Sequence, residues 1–223
     1  MPPRTFVIGD VHGCAATLRR LVDETLRPLP ADHIYLLGDT IDRGPDSKGV
    51  LDFIFELRRR RLSVSSVRGN HEEMCLHAGE GYFDLDLWTS NGGQSTLESF
   101  QADGPGDIPH RYREFIGSLP YYILLDDFVI VHAGLNFELP DPFADTVAML
   151  WTRSPRVERQ SIGGRRLICG HTPVKLGQLE ASLNSSKIML DNGCVFGERL
   201  EMGCLAALEL ESMTVHYQEN IDR

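Results

Sequence analysis

Five short blocks of this chain set glycine beside residues that bind metal: Gly9-Asp10-Val11-His12-Gly13, Gly38-Asp39 through Asp42-Arg43-Gly44, Gly69-Asn70-His71-Glu72, His132-Ala133-Gly134 and Gly170-His171-Thr172. Each supplies Asp, Asn or His, and nearly every one follows an apolar, β-branched run that reads as a buried strand. Nitrogen and oxygen donors gathered at strand ends suit two hard-to-borderline cations in a cleft. A cation pair in turn suggests hydrolysis of phosphate esters.

The spacing gives each residue a candidate task. Asp10 and His12 are two apart, so in extended chain both point to one side and reach one ion. Asp39 follows the second apolar run, and a carboxylate with two oxygens can bridge two cations. Asn70 offers a neutral carbonyl oxygen; His132 and His171 offer imidazole nitrogens. Two divalent ions outweigh Asp10, Asp39 and one hydroxide, and the net positive site favours a phosphate dianion. A water shared by two cations has its pKa lowered to about 7. His71, read as the extended neighbour of Asn70, faces the other way and suits a general acid, with Asp42 holding its second nitrogen. Arg43 and Arg68 lie within the blocks and suit a bidentate grip on phosphate oxygens. Arg153, after Leu150-Trp151-Thr152, is a looser third. Taken singly, each Asp or His would read as a turn former; the metal reading comes from their joint order.

Strands and helices must hold these blocks. Residues 5–9, 34–37 and 62–67 read as buried strands, alternating with helices over 15–26 and 46–60. That order implies parallel strands with covering helices. Residues 72–118 read as a mostly helical insert over the cleft, broken at Gly79, Gly81, Gly92-Gly93 and Gly104-Pro105-Gly106. A hairpin turning at Asp126-Asp127 follows, then strands near 167–169, 188–190, 205–210 and 214–217. The expected product is two sheets face to face with helices outside. Trp88 suits the cleft mouth and the core equally. The Arg58–Arg61 run ends a helix, where cations favour the macrodipole.

The chain has 223 residues and a formal charge of -10, which argues against nucleic acid or an acidic membrane surface as partner. Five cysteines without a CxxC pair fit a reducing compartment and buried thiols. Neither a signal-peptide pattern nor a membrane-length apolar stretch is seen, so the cytoplasm is expected. The oligomeric state is left open.

In order, GDVHG, GDTIDRG, RGNHE, HAG and GHT resemble the phosphoprotein phosphatase (PPP-type Ser/Thr phosphatase) family of the calcineurin-like metallophosphoesterases. The likeness spans Gly9 to Thr172 and takes in Asp191-Asn192-Gly193-Cys194. It implies an α/β (in part α+β) four-layer αββα sandwich, two mixed sheets flanked by helices, as one catalytic domain over 1–223. It further implies that Asp10, His12 and Asp39 bind one metal and Asp39, Asn70, His132 and His171 the other. His71 with Asp42 would donate the proton, and Arg43, Arg68 and, more loosely, Arg153 would hold phosphate. The implied cofactors are two divalent ions, manganese foremost with iron or zinc as alternatives, and direct attack by a metal-bound hydroxide. The short His132–His171 interval, the missing SAPNY-type loop and an NGG segment at Asn91-Gly92-Gly93 place the chain with the compact bacterial and phage branch. The expected activity is a phosphoserine/phosphothreonine protein phosphatase acting on a phosphoprotein or small phosphoester. The alternatives are a bis(5'-nucleosyl)-tetraphosphatase, hydrolysing diadenosine tetraphosphate, and a non-catalytic metal-binding regulatory module.

Overall fold

The computed structural model describes residues 2–79, 82–197 and 201–222. Its strands are β1 (Thr5–Ile8), β2 (His33–Leu36), β3 (Ser63–Ser66), β4 (Tyr122–Leu124), β5 (Phe128–Val131), β6 (Arg166–Cys169), β7 (Lys187–Met189), β8 (Cys204–Glu209) and β9 (Thr214–Glu219). Two mixed sheets result, a five-stranded one ordered β3-β2-β1-β8-β9 and a four-stranded one ordered β4-β5-β6-β7. The expected βαβαβ unit supplies the parallel pairs β1–β2 and β2–β3. The expected hairpin supplies the antiparallel pair β4–β5, turning at Asp126-Asp127.

Strand alternation builds the layers. Val7, Ile130, Ile168, Ala206 and Leu208 point between the sheets, where Leu37, Val67, Ile188 and Leu190 join them. Their neighbours Phe6, Ile8, Leu205 and Ala207 point outward, against helices carrying Leu18, Leu21, Phe53 and Leu57. Val129, Val131 and Leu167 face a third cluster with Leu135 and Met149. The central strands β1, β5, β6 and β8 are therefore buried on both faces, which is why they read as near-continuous apolar runs and not as alternating ones.

The helices are α1 (Ala15–Arg20, continued by a wider π-helical turn over Leu21–Leu26), α2 (Ser47–Arg59), α3 (Asn70–His77), α4 (Tyr82–Trp88), α5 (Gln94–Phe100), α6 (His110–Gly117), α7 (Thr146–Trp151) and α8 (Leu176–Ser182). In α2 the apolar positions Val50, Phe53, Ile54 and Leu57 repeat at helical spacing, and Asp46 caps the start by accepting from Gly49 N at 2.7 Å. Of the arginine run, Arg58 lies over the Phe115 ring at 4.9 Å and Arg60 pairs with Asp23 at 2.7 Å. Helices α3 through α6 lie in the stretch from Asn70 to Gly117; Glu80 and Gly81 within it lie outside the described residues.

One expectation is corrected here. Asn70 and His71 are not on extended chain; they open α3. The helix begins at this point because Glu72, in its first turn, reaches back to accept from Gly69 N at 2.9 Å, satisfying a donor that the helix leaves free.

Candidate metal centre

The metal-binding blocks follow the C-terminal ends of β1, β2, β3, β5 and β6, where strands that run parallel deliver their loops to a common edge. Backbone bonds lock the loops together. Val11 N and His12 N both donate to Asp39 O, at 3.2 and 2.8 Å, and Gly170 N donates to His132 O at 2.8 Å. The local backbone is unusual: His12, Asp39, Asp42, Arg43 and His171 all have positive φ, from 46° to 72°. Non-glycine residues in that region carry strain of about 1–3 kcal/mol each, and such strain collects at functional sites. Gly170 is required for packing, since a Cβ there would overlap Asp10 Oδ1.

At the centre is Asp39. Its Oδ2 lies 3.4 Å from His12 Nε2 on one side and 3.5 Å from His132 Nε2 on the other. Donors each about 2.1 Å from one cation at a tetrahedral angle are about 3.4 Å apart, so both spacings suit shared ligation. On the second side Asn70 Oδ1 is 2.9 Å from both His132 Nε2 and His171 Nδ1. Ligating atoms of Asp39, His132 and His171 all lie within 4.8 Å of one another, as do those of His12, Asp39 and His71. The imidazoles are aimed from behind: His12 Nδ1 donates to Ile41 O at 3.1 Å and His132 Nδ1 to Leu37 O at 2.7 Å. Each bond leaves the Nε2 lone pair facing Asp39.

The electrostatics suit bound cations. Asp10, Asp39 and Asp191 are all buried. Burial, then Asp191 and Asp39, push Asp10 well above the usual carboxylate range, and its Oδ1 has no hydrogen-bond partner. Burial and Asp39 push Asp191 up to about 7, against one bond from Gly193 N. Burial would also raise Asp39, but His132, His71 and His12 outweigh it and hold it low. Burial holds His12 and His171 down at about 3, neutral as ligands must be. Orphaned carboxylate oxygen, crowded acids and neutral imidazoles together fit two divalent cations.

His71 stands apart in charge. Burial would lower its pKa, but Asp39 and Asp42 prevail and raise it. Its Nδ1 is 2.7 Å from Asp42 Oδ2, while its Nε2 is buried with no partner. Asp42 is itself held by the insert: Trp88 Nε1 donates to Oδ2 at 2.8 Å and Thr96 Oγ1 to Oδ1 at 2.6 Å. Trp88 is thus a core residue with a polar contact to the site. Arg43 is exposed, with Nη1 2.6 Å from His12 Nε2 and its backbone N donating to Gly92 O at 3.1 Å. Gly92 has φ 111° and a Cβ there would meet Arg43, so the NGG segment braces this arginine.

Arg68 does not present a free fork. It donates to Glu73 at 2.8 Å and Gly117 O at 2.7 Å, and lies over the Tyr121 ring. Arg153 is exposed on the His171 side and lines a cavity with Gly170 and Thr172. Glu72, Thr96 and Asp191 support the candidate site without having had a role in the sequence reading. Glu72 accepts from Asp39 N, Thr40 N, Thr40 Oγ1 and Gly69 N at 2.7–2.9 Å, tying two ligand loops together. The RGNHE block contained that signal; nothing in sequence singles out Thr96.

Comparison with known proteins agrees with this geometry. Residues 3–197 match the calcineurin-like phosphoesterase model. Serine/threonine-protein phosphatase 1 of Salmonella typhimurium is 29% identical over 210 residues, covering 88% of this chain and 89% of that protein. The asymmetrical bis(5'-nucleosyl)-tetraphosphatase PrpE of Oceanobacillus iheyensis is 26% identical over 218 residues, covering 87% and 85%. A Saccharomyces cerevisiae protein serine/threonine phosphatase superposes with a TM-score of 0.68 at 15% identity, covering 100% of this chain and 81% of that one. With motifs, sheet order and donor cluster in agreement, the chain belongs to the calcineurin-like phosphoesterase family.

Proposed function

We propose that this metallophosphoesterase hydrolyses phosphate monoesters, phosphoserine and phosphothreonine side chains foremost, with two divalent ions. Manganese is the first choice and iron or zinc the alternatives. The observation that supports this most is Asp39 Oδ2 placed between His12 and His132, with the His71–Asp42 pair alongside. When bound, the ions supply Lewis acidity toward a phosphoryl oxygen and acidify a water. Asp10, His12, Asp39, Asn70, His132 and His171 would hold them. His71, whose pKa Asp39 and Asp42 raise against the effect of burial, would give its Nε2 proton to the departing oxygen, a role typically worth about 10²–10⁴-fold in rate. Arg43 would grip a phosphoryl oxygen beside His12. Arg68 would join it only by releasing Glu73.

A second reading, hydrolysis of diadenosine tetraphosphate, is favoured by relatives of that name that cover this chain as fully as the protein phosphatase does. The non-catalytic alternative is disfavoured by the complete His71–Asp42 pair beside a full donor set. Five free thiols and the acidic composition support a cytoplasmic protein without nucleic-acid or membrane partners. Turnover of a phosphopeptide and of diadenosine tetraphosphate, each with added manganese, tests the choice. Phosphate release from the peptide at the higher kcat/KM supports the first reading; the reverse order supports the second; no metal-dependent turnover of either refutes both.

A further inference from the structure

A cavity of about 210 Å³ opens beside His171, lined by Arg153, Pro155, Gly170, Thr172 and Lys187 among others. Lys187 is half-buried. Its Nζ donates to Ser154 O at 2.9 Å and lies near Gly134, in the loop that carries His132. The Cys169 thiol, in the same cavity wall, is its other neighbour, and among the described residues no carboxylate pairs with it. Arg153 too has no ion pair among the described residues. It shares the cavity wall with Gly170 and Thr172, the residues on either side of His171. Two cations with no paired carboxylate among the described residues line one cavity of a chain of formal charge -10. Close by, Trp151 is 45% exposed, with its ring 6.1 Å from that of His171 and nearly perpendicular to it. An exposed tryptophan beside a buried polar site is a stacking platform.

We propose that Lys187, Arg153 and Trp151 form a subsite for a nucleoside polyphosphate. A phosphate next to the scissile phosphoryl group would rest on the two cations, and the base would rest on Trp151. The proposal deepens the second reading above and rests on the Asp39 centre being a phosphoesterase. The bond that breaks is the bridging P–O bond of the anhydride. Water oxygen forms the new bond to phosphorus and releases a proton, and the electron pair of the broken bond leaves with the departing nucleotide.

The test compares kcat/KM for p-nitrophenyl phosphate and for diadenosine tetraphosphate in the manganese-supplemented wild type, Lys187→Met, Lys187→Arg and Trp151→Ala. A phosphopeptide with acidic flanking residues is the third substrate. A charge-assisted bond implies that Lys187→Met loses tenfold or more on the dinucleotide yet stays within about twofold on the aryl ester. Lys187→Arg recovers most of the loss. Trp151→Ala loses about fivefold or more on the dinucleotide alone. This surface variant decides the matter should Lys187→Met fold poorly. A readout without metal is quenching of tryptophan fluorescence by ADP, weakened about tenfold in Lys187→Met. Equal losses on both small substrates, no loss on either, or a selective loss on the acidic phosphopeptide overturns the subsite. A wild type inactive on all three overturns the phosphoesterase reading itself.

Discussion

Glu72→Gln tests how the ligand loops are held. The Glu72 carboxylate is fully buried and accepts four hydrogen bonds, Oε2 from Asp39 N and Gly69 N, and Oε1 from Thr40 N and Thr40 Oγ1. A glutamine keeps the shape but replaces one oxygen with a donor. Set at the Oε2 position, the amide nitrogen would face two backbone N–H groups that cannot turn away. Set at Oε1, it would face Thr40 N, while the Thr40 hydroxyl can rotate and accept. The second arrangement is cheaper and leaves one buried N–H unpaired, at about 1–3 kcal/mol. Losing the carboxylate charge weakens the two bonds that remain at Oε2, since charge-assisted bonds are worth about 1.5–3 kcal/mol against about 1 for neutral ones. The losses sum to about 2–7 kcal/mol, and even about 3 kcal/mol is equivalent to a fall in Tm of about 6–12 °C for a chain of this size. Because Asp39 and Asn70 flank the tied loops, manganese affinity should fall together with stability. The assay is thermal unfolding of metal-free protein, paired with manganese titration. A Tm within about 2 °C of wild type with unchanged manganese affinity would refute the role given to Glu72.

Four further outcomes are expected. His71→Ala retains both metal ions and loses rate most on alkyl phosphates, whose leaving groups need a proton; equal loss on aryl and alkyl esters, or loss of an ion by metal analysis, counts against a proton donor. Asp39→Asn weakens both ions, and full occupancy of both sites in that variant excludes a bridge. Trp88→Phe removes the indole donor to Asp42 and lowers Tm by about 3–12 °C, from about 1.5–3 kcal/mol for a bond to a buried carboxylate; an unchanged Tm contradicts this. Burial would raise the Asp32 carboxyl, yet the Arg4 and Leu29 backbone donors and the Arg4 guanidinium prevail and lower it. The stability it adds is therefore present above its unfolded value of about 3.9 and lost as pH falls through the folded value. The stability gap between wild type and Asp32→Asn should close in acid, and a gap that persists at about pH 2 speaks against it.

The candidate ligands could be picked out because each block sets glycine within two residues of an Asp, Asn or His just after a strand, a pattern local enough to read in a single chain. Asp10, His12, Asp39, Asn70, His132 and His171 follow this pattern, and each is drawn into one centre. The conformation around them was less legible. His12 was read in extended chain but has φ 46°, and His71 was read as extended but begins a helix. The cue for the helix was Glu72, three residues after Gly69, whose capping bond competes successfully with extension. Contacts across long sequence separation had no local signature. Trp88 and Thr96 reach Asp42 over 46 and 54 positions, and only the packing of the helical insert brings them there. Arg68 shows the converse: its block is right, yet its neighbours Glu73, Gly117 and Tyr121 take the guanidinium.

The shared Asp39 ligand is tested most directly by anomalous scattering from crystals grown with manganese. Two peaks are expected, one within reach of Asp10 and His12 and the other of Asn70, His132 and His171, with Asp39 Oδ2 between them. A single peak, or two peaks that do not have Asp39 in common, would contradict the dinuclear centre.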